Sequence, residues 1–163
     1  MRLLTPFALA LAILAIASAS IAGAFLFEAL GYAPCELCLK ERIPYYAAIP
    51  LAGLALVFAA RGPSTLLRAA FSILALIFAV SVIFGAYHVG IERGFWPGPT
   101  ECSGLLDHAR SVEDFWRQLQ DVKIARCDIA ALRILDLSLA GWNAVISAGL
   151  ASLAMLGLLH RRT

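Results

Sequence analysis

Cys35 and Cys38 stand in the run Pro34-Cys35-Glu36-Leu37-Cys38-Leu39-Lys40-Glu41-Arg42, a C-x-x-C frame that serves dithiol redox chemistry and equally forms half of many zinc sites. The other two cysteines, Cys102 and Cys127, lie far along the chain and form no second C-x-x-C. Three chemistries suit four such thiols: reversible thiol–disulfide exchange, a four-thiolate zinc site, and two inert structural disulfides. The residues around the first pair favour exchange. Pro34 suits the first turn of a helix, where its missing N–H is no loss. Three residues apart on that helix, Cys35 and Cys38 can face each other. The free N–H groups and the dipole at a helix start stabilise a thiolate, which is the reactive form. Arg42, four residues beyond Cys38 on the same face, adds a fixed positive charge beside the sulfur. An arginine at an apolar boundary is also a common interfacial anchor. Its register with Cys38 favours a different use, hydrogen bonding to a quinone carbonyl and stabilising the charge that develops as electrons leave the thiolate.

The elements that position these groups must be built from a very apolar chain. Of 163 residues, 61% are hydrophobic and 15% charged, against roughly 45–50% apolar in a soluble domain. That composition points to a bilayer, and the net charge of +2 gives no argument for nucleic acid. A hydrocarbon core about 30 Å thick asks for about 20 apolar residues per helix. Four runs meet that need, at about 3–27, 43–60, 66–87 and 139–159. Loops at about 28–42 and 88–138 fall on one side, and a short loop at about 61–65 on the other. The expected fold is all-α: an integral membrane four-helix bundle, one unit without internal repeats, with a long outer loop carrying a short amphipathic helix. Pro44 and Pro50 lie within the second run, where neighbouring helices can tolerate them. The Ala17-Ser18-Ala19 step of the first run also suits a cleavable signal peptide, but the apolar stretch continues to Phe27 and favours a retained span.

Positive charge sets the orientation, because short cytoplasmic segments accumulate Lys and Arg. Arg2, Arg61, Arg68, Arg161 and Arg162 share one side, with no acid in those segments. That side is expected to be cytoplasmic, with both termini in it. The Ile91–Ser138 loop, with eight acids against six bases, is then outside. All four cysteines fall at or beyond the outer face, where disulfides persist. Within the outer loop, Ser111-Val112-Glu113-Asp114 resembles a capping box, and Val112, Phe115, Trp116 and Leu119 recur at helical spacing. This is the expected amphipathic helix, lying on membrane lipid or packed on the protein's own loops.

At this point the residues resemble a known family, disulfide bond formation protein B (DsbB). The likeness covers essentially the whole chain: C-E-L-C-x-x-x-R opening the second span, Tyr87-His88-Val89-Gly90 closing the third, Trp96-Pro97-Gly98-Pro99 before Cys102, and Leu137-Ser138-Leu139-Ala140-Gly141-Trp142-Asn143 entering the fourth. Ala131 and Leu132 stand where some relatives carry a bulky aromatic. The resemblance implies a protein-disulfide:quinone oxidoreductase of the bacterial inner membrane. It pairs Cys102 with Cys127 as the disulfide that receives electrons from a periplasmic DsbA-like thioredoxin-fold oxidase, Cys102 holding the mixed disulfide. Cys127 would then attack Cys35, and Cys38 would pass two electrons to ubiquinone or menaquinone held by Arg42. His88 and Glu92 could assist quinone protonation, although an interfacial structural role is the commoner use of such groups. Glu28, at the outer end of the first span, carries a weaker indication still. The competing reading is a non-catalytic, disulfide-stapled membrane scaffold or small transporter, for which only Pro50 offers a midplane break.

Overall fold

The computed structural model describes residues 5–99, 111–113 and 126–160. Four helices dominate: α1 (Pro6–Ala29), α2 (Glu36–Arg61), α3 (Ser64–Glu92) and α4 (Leu139–Leu159). Each is long and apolar enough to cross a membrane, and the shortest, with 21 residues, spans about 32 Å at 1.5 Å per residue. Helices α1 with α2, α2 with α3, α3 with α4 and α4 with α1 are in contact, closing an all-α membrane bundle. The only strands among the described residues are two short ones, β1 (Arg133–Ile134) and β2 (Leu137–Ser138), which form an antiparallel hairpin at the entrance to α4. Its two turn residues, Leu135 and Asp136, both have positive φ (51° and 65°). That is the sense of twist a two-residue hairpin requires, achieved here without glycine.

Helix boundaries differ from the apolar runs where charge enters. α2 begins at Glu36 rather than near residue 43, so much of the expected outer loop is helical; α3 runs on to Glu92. A search for apolar runs stops at the first charges, whereas backbone hydrogen bonding continues through them. Here the first turns of α2 carry a Glu36–Lys40 ion pair of 3.4 Å at i,i+4 spacing. α1 closes at Gly31, whose φ of +93° lets the Tyr32 N–H donate to the Phe27 carbonyl and turns the chain toward Cys35.

Inward stripes at near-heptad spacing build the core. In α3 the buried positions include Leu67, Phe71, Leu74, Phe78, Ser81, Gly85 and His88. In α2 they are Leu37, Glu41, Tyr45, Ala48, Ala52 and Ala55. The three alanines let backbones approach closely, as helix pairs in lipid require. Phe71, Leu74, Phe78, Ile13 and Leu150 fill the middle of the bundle. Large residues such as Leu76, Ile83 and Val57 remain exposed on its outside.

Helices α3 and α4 approach closely at Gly85, where an added Cβ would meet the backbone and side chain of Ala144 at 3.0 Å. One turn away, Ser81 and Ser147 hydrogen-bond across the same interface at 2.9 Å. Gly85→Val is therefore expected to separate these helices and cost about 1–3 kcal/mol, the usual range for overpacking. Thermal unfolding in detergent checks this; an unshifted midpoint would show that the interface yields without loss.

Candidate functional site

Cys35 is the N-cap of α2, and its Sγ accepts the backbone N–H of Cys38 at 3.2 Å. Pro34 consequently lies one residue before the cap, not within the first turn, because the sulfur itself takes the capping position. Cys35 is buried and Cys38 half-buried, and both are free thiols. The Cys35 thiol is pulled down from 9.0 to about 5, first by a hydrogen bond from the Cys38 side chain. Burial works against this; His88 and the Cys38 backbone N–H add to it.

His88, at the outer end of the inward stripe of α3, is 2% exposed. Its Nε2 lies 3.7 Å from Cys35 Sγ, and its Nδ1 lies 2.8 Å from Glu41 Oε1. The other oxygen of Glu41 accepts from Asn143 Nδ2 at 3.0 Å, and Asn143 Oδ1 accepts from the Tyr45 hydroxyl at 2.8 Å. Tyr45 is also within 2.9 Å of Ser147 Oγ, which meets Ser81. Because the Tyr45 proton is committed to Asn143, Ser147 must donate to Tyr45, and Ser81 to Ser147. A directed chain of donors thus converges on the Glu41 carboxylate. No buried side-chain N or O among the described residues lacks a partner.

Two cavities meet at Cys38. The first, about 340 Å³, is lined by Cys38, Glu41, Arg42, Tyr45 and Asn143 and by apolar walls including Ile21, Phe27, Leu139 and Ile146. The second, about 210 Å³, is lined by Cys35, Cys38, His88, Glu92 and Arg126. The first falls at the lower end of small-molecule sites, roughly 300–1,000 Å³. Apolar walls with one cationic donor beside a thiol suit a planar apolar ring bearing carbonyl acceptors, so its residues fit a quinone. Arg42 is held at this cavity by a 2.9 Å ion pair with Glu28, its guanidinium 5.4 Å above the Phe25 ring. His88 opens on the second cavity rather than the first.

Cys127 is disulfide-bonded and 1% exposed, packed in one cluster with Cys35, Leu37, Ile91 and the edge of Cys38. A disulfide sulfur is not a thiolate ligand, which removes the four-thiolate zinc set. Sγ of Cys35 and Cys38 and a ring nitrogen of His88 do lie within 4.8 Å of one another, so two thiols and an imidazole are grouped without the other two cysteines. Cys102 lies outside the described residues, as does most of the expected amphipathic helix, including Phe115, Trp116 and Leu119.

Sequence reasoning singled out the cysteines, Arg42 and His88 but passed over Glu41, Tyr45 and Asn143. The signal was present in the register. Glu41 falls four residues after Leu37 and four before Tyr45, on the stripe that α2 buries, and an ionisable residue facing the interior of a membrane bundle is a functional candidate by default. Glu28 was underweighted for another reason: its value comes from Arg42, across a turn that the sequence leaves unspecified.

A four-helix membrane bundle with a buried dithiol at a helix start, one sulfur held as thiolate, and a disulfide packed against it defines an integral-membrane thiol oxidoreductase. The family model for disulfide bond formation protein DsbB matches residues 6–157, nearly the whole chain. The protein belongs to the DsbB family and is a multi-pass membrane oxidoreductase of disulfide bond formation. It is also similar to an uncharacterized protein of Rickettsia prowazekii (strain Madrid E), at 28% identity over 130 residues, covering 78% of this chain and 72% of that protein. No solved structure matches it.

Proposed function

We propose that the protein reoxidises a DsbA-like dithiol protein on the outer side of the bacterial inner membrane and passes two electrons to a membrane quinone. In this reading a thiolate of the reduced partner attacks Cys102 of a Cys102–Cys127 disulfide. Cys127, released as a thiolate, attacks Cys35 of the oxidised inner pair and frees Cys38. The partner's second thiol attacks the partner's own sulfur in the mixed disulfide, and the partner leaves oxidised. The Cys102 thiolate so freed attacks Cys127 of the Cys127–Cys35 bond, which restores the outer disulfide and leaves Cys35 and Cys38 reduced. The observation that carries the reading is the packing of the Cys127 disulfide against Cys35, while Cys38 opens on the cavity that also holds Arg42. Two couples are needed because the partner diffuses in water and a quinone is confined to the bilayer.

A bound quinone supplies a two-electron sink, which this sequence requires: a DsbA-type couple near −120 mV is strongly oxidising, and each 30 mV uphill costs about 1.4 kcal/mol. The chain's own residues do the rest. Arg42 donates toward a carbonyl acceptor, the walls of the first cavity exclude water, and the thiolate at Cys35 favours the reduced inner pair. The excess of arginine at the other ends of the helices supports cytoplasmic termini and cysteines on the periplasmic side.

Anaerobic titration of the purified protein with ubiquinone or menaquinone tests this. Quinol should form in step with loss of thiols, whereas a stapled scaffold would leave quinone untouched. Cys102→Ala should abolish capture of a reduced partner as a mixed disulfide. Undiminished capture through that variant would remove Cys102 from its assigned role.

A further inference from the structure

Oxidising two thiols to one disulfide releases two electrons and two protons, and reducing a quinone to a quinol consumes two of each. Cys38 lines the first cavity and has its own proton to give there. Cys35 does not line that cavity, so its proton needs a path. The hydrogen bonds around Glu41 indicate one. Asn143 donates to one carboxylate oxygen, which leaves the other to accept from His88 Nδ1. That bond fixes the neutral ring as the Nδ1–H tautomer, so Nε2 carries a lone pair and faces Cys35 Sγ. A sulfur, an imidazole and a carboxylate in series are the arrangement by which a base is oriented toward a nucleophile.

We propose that Cys35, His88 and Glu41 form a proton-transfer triad: His88 takes the Cys35 proton on Nε2 and gives its Nδ1 proton to Glu41, whose carboxyl group borders the first cavity and delivers the proton there. The proposal rests on that cavity being the quinone site. In the reduced protein the proton lost from Cys35 is held on the His88–Glu41 pair. In the oxidised protein the pair has delivered it. The ring, left with its proton on Nε2, gives that proton up to the second cavity, which His88 lines, and takes one on Nδ1, where the Glu41 carboxylate accepts it. Nε2 is then bare again, and the next reduction reloads the pair. The S–H bond of Cys35 and the N–H bond at Nδ1 break; an N–H bond at Nε2 and an O–H bond on Glu41 form. The tyrosine–serine chain behind Asn143 holds the carboxylate in place and transfers nothing, since an amide nitrogen separates it from Glu41. His88 is a catalytic residue in this scheme because it touches the reacting sulfur. Glu41 acts through it. The lowered Cys35 value agrees, with His88 among its causes.

The test begins with quinone-depleted full-length protein carrying ¹⁵N-histidine, of which the chain has three. Reduction of the inner pair with dithiothreitol should convert His88 Nε2 from the bare to the protonated chemical shift, and reoxidation should reverse it. A His88 Nε2 signal that stays bare in both states overturns the triad. This measurement uses no quinone, so it stands or falls separately from the proposed electron acceptor. Glu41→Gln keeps the size and hydrogen-bonding reach of the side chain but cannot carry the proton. It should slow single-turnover quinol formation about a hundredfold, the usual worth of a positioned acid–base group, and Glu41→Asp should recover most of the loss. Quinol formation at the wild-type rate in Glu41→Gln overturns the role of Glu41.

Discussion

Alkylation of Cys35 in the reduced protein is expected to run at nearly the same rate at pH 8 and pH 6 and to fall only as the pH approaches about 5. An ordinary thiol would lose roughly a hundredfold over those two pH units, because only the thiolate reacts. The shape of the profile is the signature, and the absolute rate is not. A thiolate whose value drops from 9.0 to about 5 also loses intrinsic nucleophilicity with a Brønsted slope of about 0.4–0.5, a loss of roughly 40- to 100-fold. At neutral pH that loss nearly offsets the gain in thiolate fraction. Iodoacetamide labelling with peptide mapping by mass spectrometry resolves Cys35 from Cys38. Because the Cys38 side chain is the largest cause of the lowering, Cys38→Ala should move the fall toward higher pH. A wild-type profile that declines steadily from pH 8 would mean that Cys35 is an ordinary thiol.

The same shift has a thermodynamic sign. A depressed folded-state value stabilises the folded, reduced protein fully above about pH 9. The contribution shrinks as the pH falls and is gone once it passes about 5. Stabilising the reduced pair makes its disulfide a stronger oxidant. The inner couple is therefore suited to accept electrons from another strongly oxidising couple at neutral pH, and less so in acid.

How much of this could be read from the residues differs from place to place. The four spans were legible because each must carry its own apolar run across a fixed thickness. The apolar run of the second span begins later than α2 itself because the charged turn from Glu36 to Arg42 is helical without being apolar, and hydropathy reports only the second property. Pro34 beside Cys35 was the mark of the helix start. Cys35, Cys38 and Arg42 were legible together because they share one short run. His88 was visible as a titratable group at a span end, but its partners lie 53 and 47 positions away. Only the closed ring of four helices brings α2 and α3 together at that level. The hairpin at Arg133–Ser138 escaped notice because Leu135 and Asp136 adopt positive φ without the glycine that marks such turns.

Arg42→His is expected to raise the quinone KM by about ten- to a hundredfold. A hydrogen bond to a charged donor contributes roughly 1.5–3 kcal/mol, and each 1.4 kcal/mol is tenfold in affinity. The guanidinium is suited to this because it is already ordered: Glu28 holds one nitrogen at 2.9 Å, the Phe25 ring lies beneath it, and the side chain is only 11% exposed. Arg42→Lys keeps the charge but loses the planar fork, and should fall between wild type and Arg42→His. If Glu28 works by orienting Arg42, Glu28→Gln should raise KM modestly on its own and add nothing in the Arg42→His background. Such non-additivity is the mark of two residues acting through one contact. An interfacial anchor would behave otherwise. Its loss would lower thermal stability in detergent while leaving KM unchanged, and that combination would return Arg42 to the lipid boundary.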